Sequence, residues 1–139
     1  MALVSKNLIT AIYSKLTTDS TLMALITGVF NFVPQKQTYP YVVINDSDLF
    51  ETKMNTFGKK GKETRIFIHV YSMYKGDSEA LGIAERIDSL LDWQSLTVSS
   101  NSHIVTSFEG LQLLVEEDDS KQYKARHAIL EYRVITQES

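Results

Sequence analysis

The sequence has 139 residues, no cysteine and a formal charge of −3. That length predicts one domain over residues 1–139, able to bury roughly two-thirds of its unfolded surface. The missing cysteines exclude a disulfide framework and thiol chemistry, and the acidic balance argues against a general nucleic-acid binder. The opening stretch MALVSKNLITAIYSKL is interrupted by Lys6 and Asn7, and no window is apolar for long enough to cross a bilayer, so a soluble chain without an export signal is expected.

Leu8, Ile9, Ile12 and Leu16 recur at helical spacing, predicting a helix over Ser5–Leu16 with Ser5 as its N-cap. A shorter helix follows, started by Asp19 or Ser20, with Leu22, Met23 and Ile26 facing inward and Gly28 as its stop. VFNFVPQKQTYP is expected to be an irregular connection, because Pro34 and Pro40 exclude a regular helix. Tyr41–Ile44 is β-branched and aromatic, which predicts a strand that can run on toward Phe50.

Arg65–Tyr74 is a second strand, with Ile66, Ile68 and Val70 on one face and Phe67, His69, Tyr71 and Met73 on the other. Both faces are mostly apolar, so the strand is expected to be central or to meet a partner. Between these strands lies a glycine-loosened tract, expected to be a mobile loop over Met54–Lys62. Asp77 or Ser78 starts the clearest helix, whose stripe is Ala80, Ile83, Ala84, Ile87, Leu90 and Leu91. Ser102–Val115 and Gln122–Ile135 are long strands joined by the charged turn EEDDSK, an antiparallel hairpin. The order ααββαββ predicts an α+β fold, a mainly antiparallel sheet with helices packed on one face.

Chemistry is sparse. His69, His103 and His127 are isolated from one another in sequence, whereas a metal site needs several convergent ligands. FGKKGKETR lacks the spacing of a phosphate loop and opens no helix, and there is no G-x-S-x-G elbow. Glu116–Asp119 lacks the ligand spacing and central glycine of a calcium loop. Asp46 and Asp48 form an acidic pair of a kind found in any protein. No cofactor, metal or catalytic residue is nominated. Charge is the more informative signal. Glu51–Arg65 holds five basic residues (Lys53, Lys59, Lys60, Lys62 and Arg65) against Glu51 and Glu63. The Glu116–Lys121 turn holds Glu116, Glu117, Asp118 and Asp119 against one lysine. Both are candidate assembly contacts, and solubility alone accounts for them equally well.

The order and spacing of four pieces resemble the tail-completion family of long-tailed bacteriophages, also called tail terminator or tail-to-head joining proteins. TTDSTLMALITG is similar to the family's short second helix and VFNFVPQKQTYPYVVI to its proline-containing linker and strand. TRIFIHVYSMYKGDSEALGIAERIDSLL is similar to its strand, glycine turn and helix, and ARHAILEYRVIT to its final strand. The resemblance spans Leu8–Thr136; many relatives have tryptophan where this chain has Tyr71. It implies a non-enzymatic virion protein at the tail–head junction, made in the bacterial cytoplasm. It further implies a hexameric ring on the tail tube that stops tube polymerisation and meets the head's connector or stopper protein, with DNA passing through the lumen and no membrane involved. Two other readings stay open: a head-side connector or stopper of the neck, and a small α+β ligand-binding domain or enzyme.

Overall fold

A computed structural model describes residues 3–31, 37–44, 49–56, 58–73, 76–117 and 124–138. Its elements are α1 (Ser5–Thr17), α2 (Ser20–Met23), β1 (Val29–Phe30), β2 (Tyr41–Ile44), β3 (Phe50–Thr56), β4 (Lys59–Ser72), α3 (Ser78–Leu91), β5 (Asn101–Glu117) and β6 (Lys124–Glu138). The α+β class and the mainly antiparallel sheet are as expected. Two further strands, β1 and β3, join it. Val29–Phe30, expected to be irregular, runs parallel to Val42–Val43. Residues 32–36 of the expected linker, and the acidic pair Asp46 and Asp48, lie outside the described residues.

The sheet has six strands in the order β1-β2-β4-β6-β5, with β3 pairing to β4. The register explains the apparent extra strand. β2 pairs with Ile68–Tyr71 and β3 with Lys59–Arg65, while β6 takes the other side of β4. β2 and β3 therefore lie end to end along one edge of β4, in the direction in which the sequence continued β2 toward Phe50.

Alternation sorts the side chains. Val42, Ile44, Ile66, Ile68, Val70, Ala128, Leu130, Tyr132 and Val134 share one face and are buried against Leu8, Ile12 and Leu16 of α1 and the Ala80–Leu91 stripe of α3. Fully burying one such side chain stabilises by about 1.5–3 kcal/mol, so this face, not local propensity, holds α1 and α3 in place. The opposite sheet face carries Tyr41, Val43, His69, Tyr71 and His127.

Two caps differ from expectation. Ser5 is the first helical residue, not the N-cap; the cap position is Val4, which lacks a suitable side chain. Glu51 of β3 substitutes from 46 residues away, accepting hydrogen bonds from the Ser5 amide at 3.0 Å, the Ser5 hydroxyl and the Val4 amide. A carboxylate is well suited there, at the positive end of the helix dipole. Asp19 caps α2 as expected, accepting from the Leu22 amide at 2.8 Å, but the helix stops at Met23, ahead of Gly28. Glu51→Ala should remove the α1 cap and cost about 1–2 kcal/mol, read as a lower urea midpoint. An unchanged midpoint would show that α1 needs no carboxylate at its start.

Candidate functional site

The basic tract is not a loop. Phe50–Thr56 and Lys59–Arg65 form an antiparallel ladder, so the mobile segment expected over Met54–Lys62 is instead a β-hairpin. Lysine-rich strands have weak intrinsic β preference, which hid the ladder in the sequence. Its two glycines do separate jobs. Gly58, at φ +78°, turns the chain between the paired Thr56 and Lys59. Gly61 is buried between β3 and β6, where an added Cβ would lie 2.6 Å from the Met54 carbonyl oxygen.

The five basic residues split into two groups. Lys62 pairs with Glu51 at 3.6 Å, and Arg65 pairs with Glu131 at 3.1 Å, so their charges are answered within the subunit. Lys53, Lys59 and Lys60 are exposed. Lys53 lies directly across the ladder from Lys62, and with Lys60 and Gly61 they line one concavity of about 200 Å³. Like charges placed opposite each other destabilise a ladder; the Glu51 carboxylate offsets this at Lys62.

The acidic turn is partly visible. Glu116 and Glu117 end β5, paired through their backbone with Ala125 and Lys124. Their side chains, and Asp118 and Asp119 entirely, lie outside the described residues. The register places the Glu116–Glu117 end of β5 and the basic hairpin at opposite ends of the sheet. Gly61 pairs with Gln137 near the end of β6, and Glu117 with Lys124 at its start. At strand rise this separates them by roughly 40 Å. A single subunit cannot bring the two charged ends together.

The histidines contain the feature least visible in sequence. His69 Nδ1 and His127 Nε2 lie 2.7 Å apart although the residues are 58 positions apart. One ring must donate and the other accept. Tyr71 stacks on His127 with centroids 4.2 Å apart, and Tyr41 stacks on Tyr71 at 5.2 Å. Only the register, which sets Tyr71 opposite His127, reveals the cluster. His103 is elsewhere, with Nε2 2.7 Å from the Thr106 hydroxyl, and burial pushes its pKa down. Among the described residues no three His, Asp or Glu side chains converge as metal ligands. The groove of about 440 Å³ between α1 and residues 95–99 is lined mainly by hydroxyl-bearing side chains, with Asn7, Lys15, Ala11 and Leu96 and no carboxylate or imidazole.

Asp19 links the helices. Its carboxylate receives Arg86 Nη2 at 2.6 Å and Nε at 2.9 Å, and the Arg86 hydrogen bonds, with the Leu22 amide, lower its pKa from the ordinary 3.8. Because the folded value is depressed, this contribution is present above about pH 3.8 and is lost as pH falls through the lower folded value. Asp19→Asn should therefore flatten the acid limb of a stability–pH curve. A limb as steep as in the parent chain would contradict the assignment.

The chain is a mainly antiparallel α+β sheet with helices packed on one face and exposed lysines at one end. The family model for tail completion protein gp17 matches residues 10–137. The chain is similar to the gp17 protein of bacteriophage SPP1, at 27% identity and a TM-score of 0.63, covering 96% of this chain and 91% of that one. It shares its fold with a chain from the virion of a native gene transfer agent particle, with a TM-score of 0.80 at 20% identity, covering 99% of both. No curated protein matches. The chain belongs to the tail completion protein gp17 family: it is a phage tail-completion protein and a structural protein of the virion. No helix among the described residues is long and apolar enough to cross a membrane.

Proposed function

We propose that the chain is a tail terminator. As one domain over residues 1–139, six copies close a ring on the last ring of the tail tube at the tail–head junction. The ring stops tube polymerisation and offers its other surface to the head's connector or stopper protein, while DNA passes through the lumen without sequence recognition. The mechanism is binding, not catalysis. The observation that carries this reading is the family match over residues 10–137.

The charge layout supports a ring. A closed ring needs two different, complementary patches on each subunit. Lys53, Lys59 and Lys60 lie at one end of the sheet and Glu116 and Glu117, which end β5, at the other, opposite charges that only neighbouring copies can join. The same lysines are poor DNA ligands for this task. Several phosphate contacts made together would bind tightly at low salt and would hinder passage of DNA.

Tail assembly in a phage lacking this chain tests the reading. Tails are expected to be overlong and headless, and supplying the chain is expected to restore both length and head joining. Tails of normal length that merely lack heads would reject termination and favour a head-side stopper.

A further inference from the structure

β5 is an edge strand of 17 residues, and only half of that edge is covered by the subunit itself. The segment after α3 occupies the first half: the Trp93 amide donates to the Thr106 carbonyl at 2.8 Å, and Asp92 accepts from the Phe108 amide at 2.9 Å. A bulge follows between Phe108 and Gly110. Beyond it, among the described residues, Gly110–Glu117 pairs with β6 alone.

Apart from that bulge and its three glutamates, this half lacks the usual protection. Soluble proteins blunt open edges with lysine, proline or short strands. EGLQLLVEE has no proline and no basic residue, and Leu111 and Val115 are 46% and 48% exposed. The side chains of Phe108, Leu111, Leu113 and Val115 share the helix-bearing face, just outside the cover that α3 provides. β3 is another open edge, pairing only with β4 among the described residues, as the two-residue β1 pairs only with β2. The unanswered charge of β3 is opposite: its Glu51 is paired with Lys62, leaving Lys53, with Lys59 and Lys60 of β4 beside it, against Glu109, Glu116 and Glu117 on β5.

We propose that the Glu109–Glu117 half of β5 pairs with β3 of a second copy of this chain, so that the sheet runs on from one subunit to the next. Every step from β3 through β4 and β6 to β5 is antiparallel, so β3 and β5 run in opposite directions. The junction between copies is then also antiparallel, the stronger pairing geometry. Two different edges meet, which is the head-to-tail contact that closes a ring. The stem of Lys53, the one lysine of β3, lies over Leu111 and Val115 while its ammonium group stays at the charged rim. The inference rests on the ring reading above and adds which surfaces form it.

The chain has no native cysteine, so engineered pairs are clean probes. One cysteine is placed at Leu111, Leu113 or Val115 and a second at Thr52, Lys53 or Met54, scanning the register. Tails assembled with each double variant are oxidised and run under denaturing conditions. At least one pair is expected to give a ladder of covalent multimers, and each single variant no more than a dimer. Rings visible on tube ends with no ladder from any pair would overturn the edge pairing and leave the ring reading intact. Absence of rings even with the parent chain would overturn both. Leu111→Lys combined with Val115→Lys is expected to leave the monomer's circular dichroism unchanged and to abolish assembly; normal assembly would also overturn the pairing.

Discussion

Reversing Lys53, Lys59 and Lys60 to glutamate should leave a folded monomer that no longer caps tails. All three side chains are exposed, and such surface changes usually shift stability by under about 0.5 kcal/mol each. Their effect on assembly should be far larger. The reversal sets negative charge against the acidic end of the neighbouring copy, and like-charge juxtaposition across an interface costs several kcal/mol. A weakening of contacts by about 3 kcal/mol per junction corresponds to roughly a hundredfold in affinity, multiplied around the ring. Lys62 is deliberately spared, because its loss would also disturb the Glu51 carboxylate that caps α1. The readout is the fraction of normal-length, head-joined tails in complementation. Efficient joining with all three lysines reversed would show that they serve only solubility.

Ile68→Ala should be the most damaging single change to the fold. Ile68 is fully buried in β4, between Ile44 of β2 and Leu130 of β6. The substitution removes apolar atoms and leaves a cavity in a layer pinned on both sides by strands, so relaxation is limited. The expected cost is about 4 kcal/mol, a large share of the roughly 5–15 kcal/mol that stabilises a typical domain. Urea unfolding should show a much lower midpoint with an unchanged slope. A shift below about 1 kcal/mol would mean that the site collapses freely, contrary to the tight register described for β4.

The contrast between Ile68 and Lys60 shows what was legible in the sequence. Ile66, Ile68 and Val70, like Ala128–Val134, alternate strongly enough to identify their strands and their buried face. The α3 stripe was equally plain, because Ala80, Ile83, Ala84, Ile87 and Leu91 repeat at helical spacing and are all buried. Lys59–Glu63 carries no such alternation, yet it is strand. Its order comes from tertiary pairing, with β3 throughout and with β6 from Gly61 onward. The two-residue β1 was hidden for the same reason: Val29–Phe30 is held by its neighbour Val42–Val43 and not by its own pattern.

The charged candidates were legible as composition but not as geometry. Sequence grouped Lys62 and Arg65 with Lys53, Lys59 and Lys60; register shows that the first two already have partners within the subunit. In the sequence Glu51 is only one of two acids counted against the basic residues of its tract, and only folding brings it to the start of α1. The His69–His127 contact had no local signal at all, since its spacing exists only across the β4–β6 ladder.

Electron microscopy of purified protein mixed with open-ended tail tubes tests termination most directly. The account predicts a ring of six copies seated on one end of each tube, and tubes that no longer lengthen when free tube subunits are added. Tubes that keep growing at both ends in the presence of saturating protein, with no density at either tip, would contradict it.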